Sequence, residues 1–431
     1  MTIPRLVLTL LASALLSAHL AADVLVVRGD GAGDFTTLTA AVDAAVDGDI
    51  LLLQDDFSAE RVVIDDKALV IVSDAGSAHH VGALVITDLA AGKSAVVRGL
   101  EIGPYATGSG GTGALALGGN AGAVLIEDCV VHAAAGLPTN AFRVDGSVAV
   151  SLSACDEVAI VRSTLLGGDG VALAGAGFPS VPPVGRGGAG LSTTGSTLSV
   201  FASTLIGGQG GPRKNNAPGG VGGTGLAGFE SEVWIEGGLA QGGLGGSNCL
   251  ELGDGCEGGV GVALISPFPF GFDDGLLLRR DAQIEGGAGG PLEPPATGMG
   301  DMGDELLGES VDFAGAATLA VEVGPLREGE LGTFSVFGPP GANAAWMFAF
   351  DFDIQRLGGN KGVLALELPL FGPYLMGTIP GGGEAQFNYV NPSLAGTGLD
   401  GLVLAKQGLV LDGDGLRFTG PSTYVNLGTT P

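Results

Sequence analysis

Lysine and histidine are scarce in this 431-residue chain, and cations of any kind are few. Eighteen Lys and Arg stand against 46 Asp and Glu, a formal net charge of −28. Such a surface repels phosphate backbones and anionic lipid, which excludes nucleic acid and acidic membranes as general partners. It also weighs against a polyanionic substrate such as pectate, unless Ca²⁺ bridges the two. Solubility is the ordinary use of so acidic a surface. The four cysteines lack metal-site spacing. Charged residues make up only 15% of the chain and hydrophobic ones 45%, the wrong balance for disorder. Past the first 22 residues, no apolar run is long enough to cross a bilayer.

Residues 1–22 have the parts of a secretory signal peptide: Arg5, an apolar core from Leu6 to Leu16, and Leu20-Ala21-Ala22 before Asp23. The expectation is an exported protein, secreted or held at the cell surface, with no transmembrane segment once the signal is removed. Export permits disulfides. Cys249 and Cys256 bracket a short Gly/Asp loop and are expected to bridge. Cys129 and Cys155 lie about one short coil apart, which leaves open a bridge between stacked turns or two buried free thiols.

Glycine dominates what is present: 81 residues, well above the usual ~7%. Gly-Gly-x-Gly-[Leu/Val] occurs at Gly187–Leu191, Gly222–Leu226 and Gly258–Val262, and Gly-Gly-x-Gly-Gly at Gly207–Gly211, Gly242–Gly246 and Gly286–Gly290. The blocks recur with a period of roughly 35–44 residues, the mark of units that bury their apolar faces only against their neighbours. Ser-Thr-Leu-[Leu/Ile]-Gly-Gly repeats at 163–168 and 203–208, after short β-branched runs. Parallel strands stacked coil on coil, with glycines at the tight corners, fit this texture.

The N-terminal stretch adds detail. Val24-Leu-Val-Val leads to Gly29-Asp-Gly-Ala-Gly-Asp-Phe35, and Leu38, Ala41, Val42 and Ala45 then sit at helical offsets behind a capping Thr36 or Thr37. Gly48-Asp49 turns into Ile50-Leu-Leu-Leu53. This strand, Gly loop, helix and strand resemble the N-terminal cap of pectin-lyase-like right-handed β-helices, and residues 24–53 are most similar to the opening of pectin methylesterases. The resemblance implies an all-β fold: a right-handed parallel β-helix over 23–290 with a short N-terminal capping helix.

Residues 291–310 read as a Pro/Gly/acidic linker. Beyond it, alternating strands predict a small antiparallel β-sandwich over 311–431. Trp346, Phe348, Phe350 and Phe352 share one strand face, with Met347, Ala349, Asp351 and Asp353 on the other. Buried, the aromatics are core; exposed in a row, they suit sugar stacking. Leu394-Ala-Gly-Thr-Gly-Leu, Gln407-Gly-Leu-Val-Leu-Asp-Gly-Asp-Gly and Val425-Asn-Leu resemble the C-terminal β-modules of secreted planctomycete proteins. That resemblance implies a bacterial source and carries over no chemistry, though sorting or anchoring at the envelope is one role for such a tail.

Several chemical motifs fail on context. Gly108–Gly113 satisfies G-x-G-x-x-G but is followed by a strand-like run rather than a helix, and Gly92-Lys93-Ser94 lacks the first P-loop glycine. The nonapeptide Ca²⁺ repeat needs an Asp where this chain has Ser192, Ala227 and Ala263. Asp412 and Asp414 suit either part of a Ca²⁺ site or an Asp-Gly hairpin, and the hairpin is favoured. His79 and His80 are adjacent, point to opposite faces of any strand, and read as loop or surface residues. The catalytic motifs of pectin methylesterases and polygalacturonases are missing from the chain. A polysaccharide lyase needs only an acidic Ca²⁺-binding cluster and a base, for which Arg143 and Arg162, with Asp145 and Asp156, are the candidates, joined by Arg279, Arg280, Asp273 and Asp274. The leading expectation is a non-catalytic surface protein for adhesion, scaffolding or glycan binding. A Ca²⁺-dependent lyase is the alternative.

Overall fold

A computed structural model describes residues 22–74, 78–104, 113–137, 145–172, 184–212, 219–247, 256–264, 275–291, 301–322, 327–358, 361–393 and 401–427. The N-terminal unit opens as its sequence predicts. Strand Val24–Val27 pairs in parallel with Ile50–Leu53, and between them runs the helix α1, Leu38–Ala44. Thr37 caps α1 by accepting from the Ala40 N–H. Leu38, Ala41, Val42 and Ala45 face the same core as Leu51 and Leu53, so α1 closes the end of the stack.

From Leu115 onward each coil contributes three strands, as in Val150–Ser153, Glu157–Val161 and Thr164–Leu166. The five-residue strands, with Val24–Val27, Ile50–Leu53 and Val70–Ser73 at one end and Glu309–Asp312 at the other, stack into one ten-stranded parallel sheet. The flanking strands of four and three residues form a second sheet, which divides at His79–Thr87: its start pairs with Leu100–Ile102 and its end with Leu115–Gly118. The result is a parallel β-helix with one continuous apolar core. The stack runs past residue 290 into the segment read as a linker, because Leu306–Leu307 and Glu309–Asp312 each add a parallel strand.

The corners are not where the glycine blocks are. Most corners pivot on one left-handed residue, and Asp128, Ala154, Arg162, Ala202, Glu230 and Asp281 serve there as well as Gly119 and Gly195, while Gly237 and Gly238 are both left-handed at theirs. The residue after the pivot often turns inward to cap its neighbour. Ser163 Oγ accepts from Cys129 N, and Ser203 Oγ from Ser163 N, while Ser196 and Ser231 repeat the ladder above Cys155. Cys129 and Cys155 occupy two different corners of the coil and are free, buried thiols, so no bridge joins them. Cys256 is disulfide-bonded, while Cys249 lies outside the described residues.

The Gly-Gly-x blocks build something else. Each coil leaves the three-residue strand along one glycine segment and returns to the four-residue strand along another. Leaving segments stack on leaving segments (Gly207 N to Gln241 O, Gly210 N to Leu244 O), and returning on returning (Gly187 N to Val221 O, Gly222 N to Glu257 O). The next glycine in each block donates across to the other layer, so that Gly188, Gly208, Gly223, Gly243, Gly259, Gly287 and Gly303 form a zigzag of bonds of 2.7–2.9 Å. The three-residue period is that of polyproline II. A Cβ on Gly242 of the leaving layer would lie 1.9 Å from Gly259 O of the returning layer, so two backbone layers are in contact with no side chain between them. Close approach, not turning, requires these glycines.

The C-terminal module has a three-stranded antiparallel sheet and a four-stranded one, with Phe334, Val336, Ala344 and Val410 packed between them. A two-stranded hairpin, Gln355–Leu357 with Gly362–Leu364, lies alongside. The four-stranded sheet covers the outer face of the ten-stranded one: Ala345, Met347, Ala349, Ala405 and Phe418 join Leu52, Val72, Leu125, Ala159 and Trp234 in one cluster. The strands from Ile50–Leu53 to Leu276–Arg280 are therefore largely buried on both faces, while the last strand, Glu309–Asp312, is exposed.

Candidate functional site

Among the last residues of the five-residue strands, one row runs in register along the covered face: Arg98, Glu127, Val161, Phe201, Glu236 and Arg280. An ion pair at each end flanks an apolar middle, and all six are buried. Strand Gly415–Val425 lies over this row, close enough that a Cβ on Gly420 would meet the Phe201 ring at 2.7 Å. Glu127 accepts from Arg162 Nη2 at 2.5 Å, Ser422 Oγ at 2.7 Å and Thr423 N at 3.0 Å. Burial works to raise the Glu127 pKa, but Arg98 and Arg162 outweigh it and hold it below the usual carboxylate value. Arg98 donates to the carbonyls of Thr423 and Glu322, and Thr318 donates to Glu236.

Arg162, one of three described arginines of the lyase set, belongs to this seam. It bonds Glu127 and Asp128 and donates to Ala320 O of the module at 2.8 Å. Burial opposes its charge, yet the two carboxylates raise its pKa further. It cannot act as a base. Arg280 is likewise paired with Glu236, and Arg279 with Asp312. Asp156 is exposed at a different corner, and Asp145 lies in the returning glycine layer, accepting from Arg186 N at 2.7 Å. Arg143, Asp273 and Asp274 lie outside the described residues. Among the described residues, no group of three or more His, Cys, Asp or Glu is placed to hold a metal ion. Asp412 pairs with Gly415 across a two-residue turn and is held by Arg417, while Asp414 is an exposed turn residue. His79 and His80 lie on a strand, half-buried, with His80 Nε2 2.5 Å from Gly103 O. Lys93 is held between Asp47 and Asp66.

Two surfaces remain that the charged candidates did not point to. The first is a groove of about 550 Å³ on the outer face of the returning glycine layer. Its floor is glycine backbone, with Met302 following the column of Gly187, Gly222 and Gly258 at the upper end. One wall stacks Arg186, Val221, Glu257 and Asp301, and the other Ala189, Thr224, Val260 and Asp304. The walls stand three residues apart, roughly 9 Å for a polyproline-II-like segment.

The second is an aromatic strip on the C-terminal module. Along Asn343–Ala349 it is the small-residue face, Ala345, Met347 and Ala349, that docks on the β-helix. Trp346 and Phe348 point the other way and are half-buried. Trp346 packs with Phe334, Tyr374 and Phe387 at 4.9–5.8 Å, and Phe348 stacks on Phe371 at 5.0 Å with the planes 13° apart. The strip runs outward to the edge strands Phe371–Thr378 and Glu384–Val390, where Tyr374 is 45% exposed, Phe387 41% and Leu375 84%. Beneath it, Lys406 bonds Glu322 at 2.6 Å and lies under the rings of Tyr389 and Tyr424. Burial raises the Glu322 pKa and lowers that of Lys406.

No family model matches this chain, and no curated protein matches it in sequence.

Proposed function

We propose that this chain is an exported, non-catalytic binding scaffold in which a β-helix carries a rigidly fused C-terminal module that binds glycan at the cell surface. The observation that carries this reading is the aromatic strip from Trp346 to Tyr374 and Phe387. It opens at the module's edge while the opposite face of the same strand is locked to the β-helix. Pyranose rings present a C–H face that packs on an aromatic π face, and a half-exposed row of rings offers several such places. The buried seam supports a fixed display angle, since Arg98, Glu127 and Arg162 each bond across it. The lyase alternative finds less support, because Arg162 is engaged in that seam on every side.

The test is retention of the protein on a panel of plant, algal and bacterial polysaccharides, with reducing ends and unsaturated-uronate absorbance read in parallel. Retention without product is expected, and Tyr374→Ala with Phe387→Ala should weaken it about tenfold or more, as the loss of central aromatic contacts does. Ca²⁺-dependent absorbance, or retention indifferent to both substitutions, would sink the reading.

A further inference from the structure

The threefold pattern of the glycine layers leaves one backbone donor in three without a partner inside the slab. In the returning segment 221–225, Gly222 N and Gly225 N bond the segment above and Gly223 N bonds the other layer. The N–H groups of Val221 and Thr224 donate to nothing among the described residues, and those of Glu257 and Val260, one coil up, repeat this.

The molecule itself shows what fits such a donor. Hydrogen bonding stacks Asp145-Gly146 beneath Arg186, and there the Asp145 carboxylate accepts from Arg186 N at 2.7 Å. On the leaving layer, Asp169 lies one coil below Gln209 and accepts from its N–H at 2.7 Å. Beneath Val221 and Glu257 the residue one coil down offers no side-chain acceptor, because Arg186 underlies Val221 and Val221 underlies Glu257. These donors stand in two rows along the walls of the 550 Å³ groove, over a floor that is bare glycine from Gly187 to Gly259 and carries the exposed Met302 at its upper end.

We infer that this groove binds an uncharged, hydroxyl-rich linear polymer, a neutral glycan chain laid along the stacking direction. An acceptor oxygen from successive units would take the place that Asp145 fills lower down. Charge selects against anionic chains, because Glu257, Asp301 and Asp304 are exposed along the walls. Spacing selects against peptide. The donors repeat once per coil, about 4.8 Å, whereas carbonyls on one side of an extended peptide repeat every second residue, about 6.6 Å. The site is remote in sequence from the aromatic strip and does not depend on it.

The experiment titrates the whole chain with cellohexaose, mannohexaose and xylohexaose, and with a polygalacturonate oligomer as the charged counterpart. Amide hydrogen exchange at Val221 and Glu257 is followed throughout. Arg186→Asn and Val221→Asn place a side-chain acceptor beneath Val221 and Glu257, as Asp145 sits beneath Arg186. Leu244→Asn makes the same change beneath Ala288 on the opposite layer. At least one neutral hexasaccharide should bind and slow both amides. The Arg186→Asn/Val221→Asn double variant should weaken it tenfold or more, and Leu244→Asn by less than twofold. Slowed exchange at Val221 and Glu257 reports the groove alone, which separates it from the aromatic strip. Failure of every neutral hexasaccharide to bind, preference for polygalacturonate, undiminished binding by the double variant, or amides already protected in the free protein would each overturn the inference.

Discussion

Replacing Glu127 by Gln removes the charge that the seam is built around while leaving its shape almost unchanged. Glu127 is fully buried and faces two arginines, Arg98 at 3.7 Å and Arg162 at 2.5 Å. Neutralising it leaves Arg98 with two carbonyls and one carboxylate 3.7 Å away, while Arg162 keeps its bonds to Asp128. Breaking a buried pair by removing one partner costs about 3–5 kcal/mol. Because Asp128 still compensates Arg162, the lower end, about 3 kcal/mol, is expected. That loss falls on docking of the module rather than on the coils. Hydrogen exchange resolves the two. Amides of Gly415–Val425 should exchange about a hundredfold faster, while those of Thr197–Phe201 and Glu232–Glu236 on their coil-facing bonds stay protected. A change in exchange corresponding to less than about 0.5 kcal/mol, the size of an ordinary surface substitution, would refute the argument that Glu127 holds the module.

Other outcomes follow from the same structure. Gly242→Ala puts a methyl group 1.9 Å from Gly259 O of the opposite backbone layer, and the two layers cannot separate without losing bonds, so it should cost about 3 kcal/mol or more in urea unfolding. Gly195→Ala, at φ +56° with open space around it, should cost only about 1–2 kcal/mol. Burial pushes the Cys129 thiol up to about 12, so native protein should resist alkylation there, and denaturation should expose two reactive thiols without reductant. Glu127 is held below its ordinary pKa by its arginines. Its contribution is therefore present above the unfolded value near ~4.3 and is lost as pH falls through the lower folded value. Acid titration followed by exchange should release Gly415–Val425 before the coils open, and simultaneous loss would contradict this order.

Much of the architecture was legible in the chain. The cap was readable because Leu38, Ala41, Val42 and Ala45 carry helical spacing between two apolar strands. The ten-stranded sheet also announced its burial: Ile50-Leu-Leu-Leu53 and Val124-Leu-Ile are continuous apolar runs, which belong to strands covered on both sides. That signal could have placed a second layer over this face. The glycine slab was misread as corners because corner and slab glycines look alike in sequence. Only the three-residue period of Gly-Gly-x, with Gln209, Leu244, Val221 or Glu257 as the outward residue, distinguishes them. The corners needed no glycine at Asp128, Arg162 or Ala202. The row from Arg98 to Arg280 could not be read, because loops of unequal length separate residues that stack in register. Along Trp346–Phe352 the sequence left open which face is buried: the alternation holds for Trp346 and Phe348, whose rings turn to the open edge while Ala345, Met347 and Ala349 let two sheets approach closely, but past the strand end Phe352 joins the docked cluster.

The most direct measurement of the central claim is binding and turnover in one vessel, with the whole chain, the polysaccharide panel, and Ca²⁺ present or chelated. Retention on a glycan, with no new reducing ends or unsaturated uronate and with loss on Tyr374→Ala and Phe387→Ala, is the expected result. Product formation that depends on Ca²⁺, or silence across the panel, would contradict a glycan-binding scaffold.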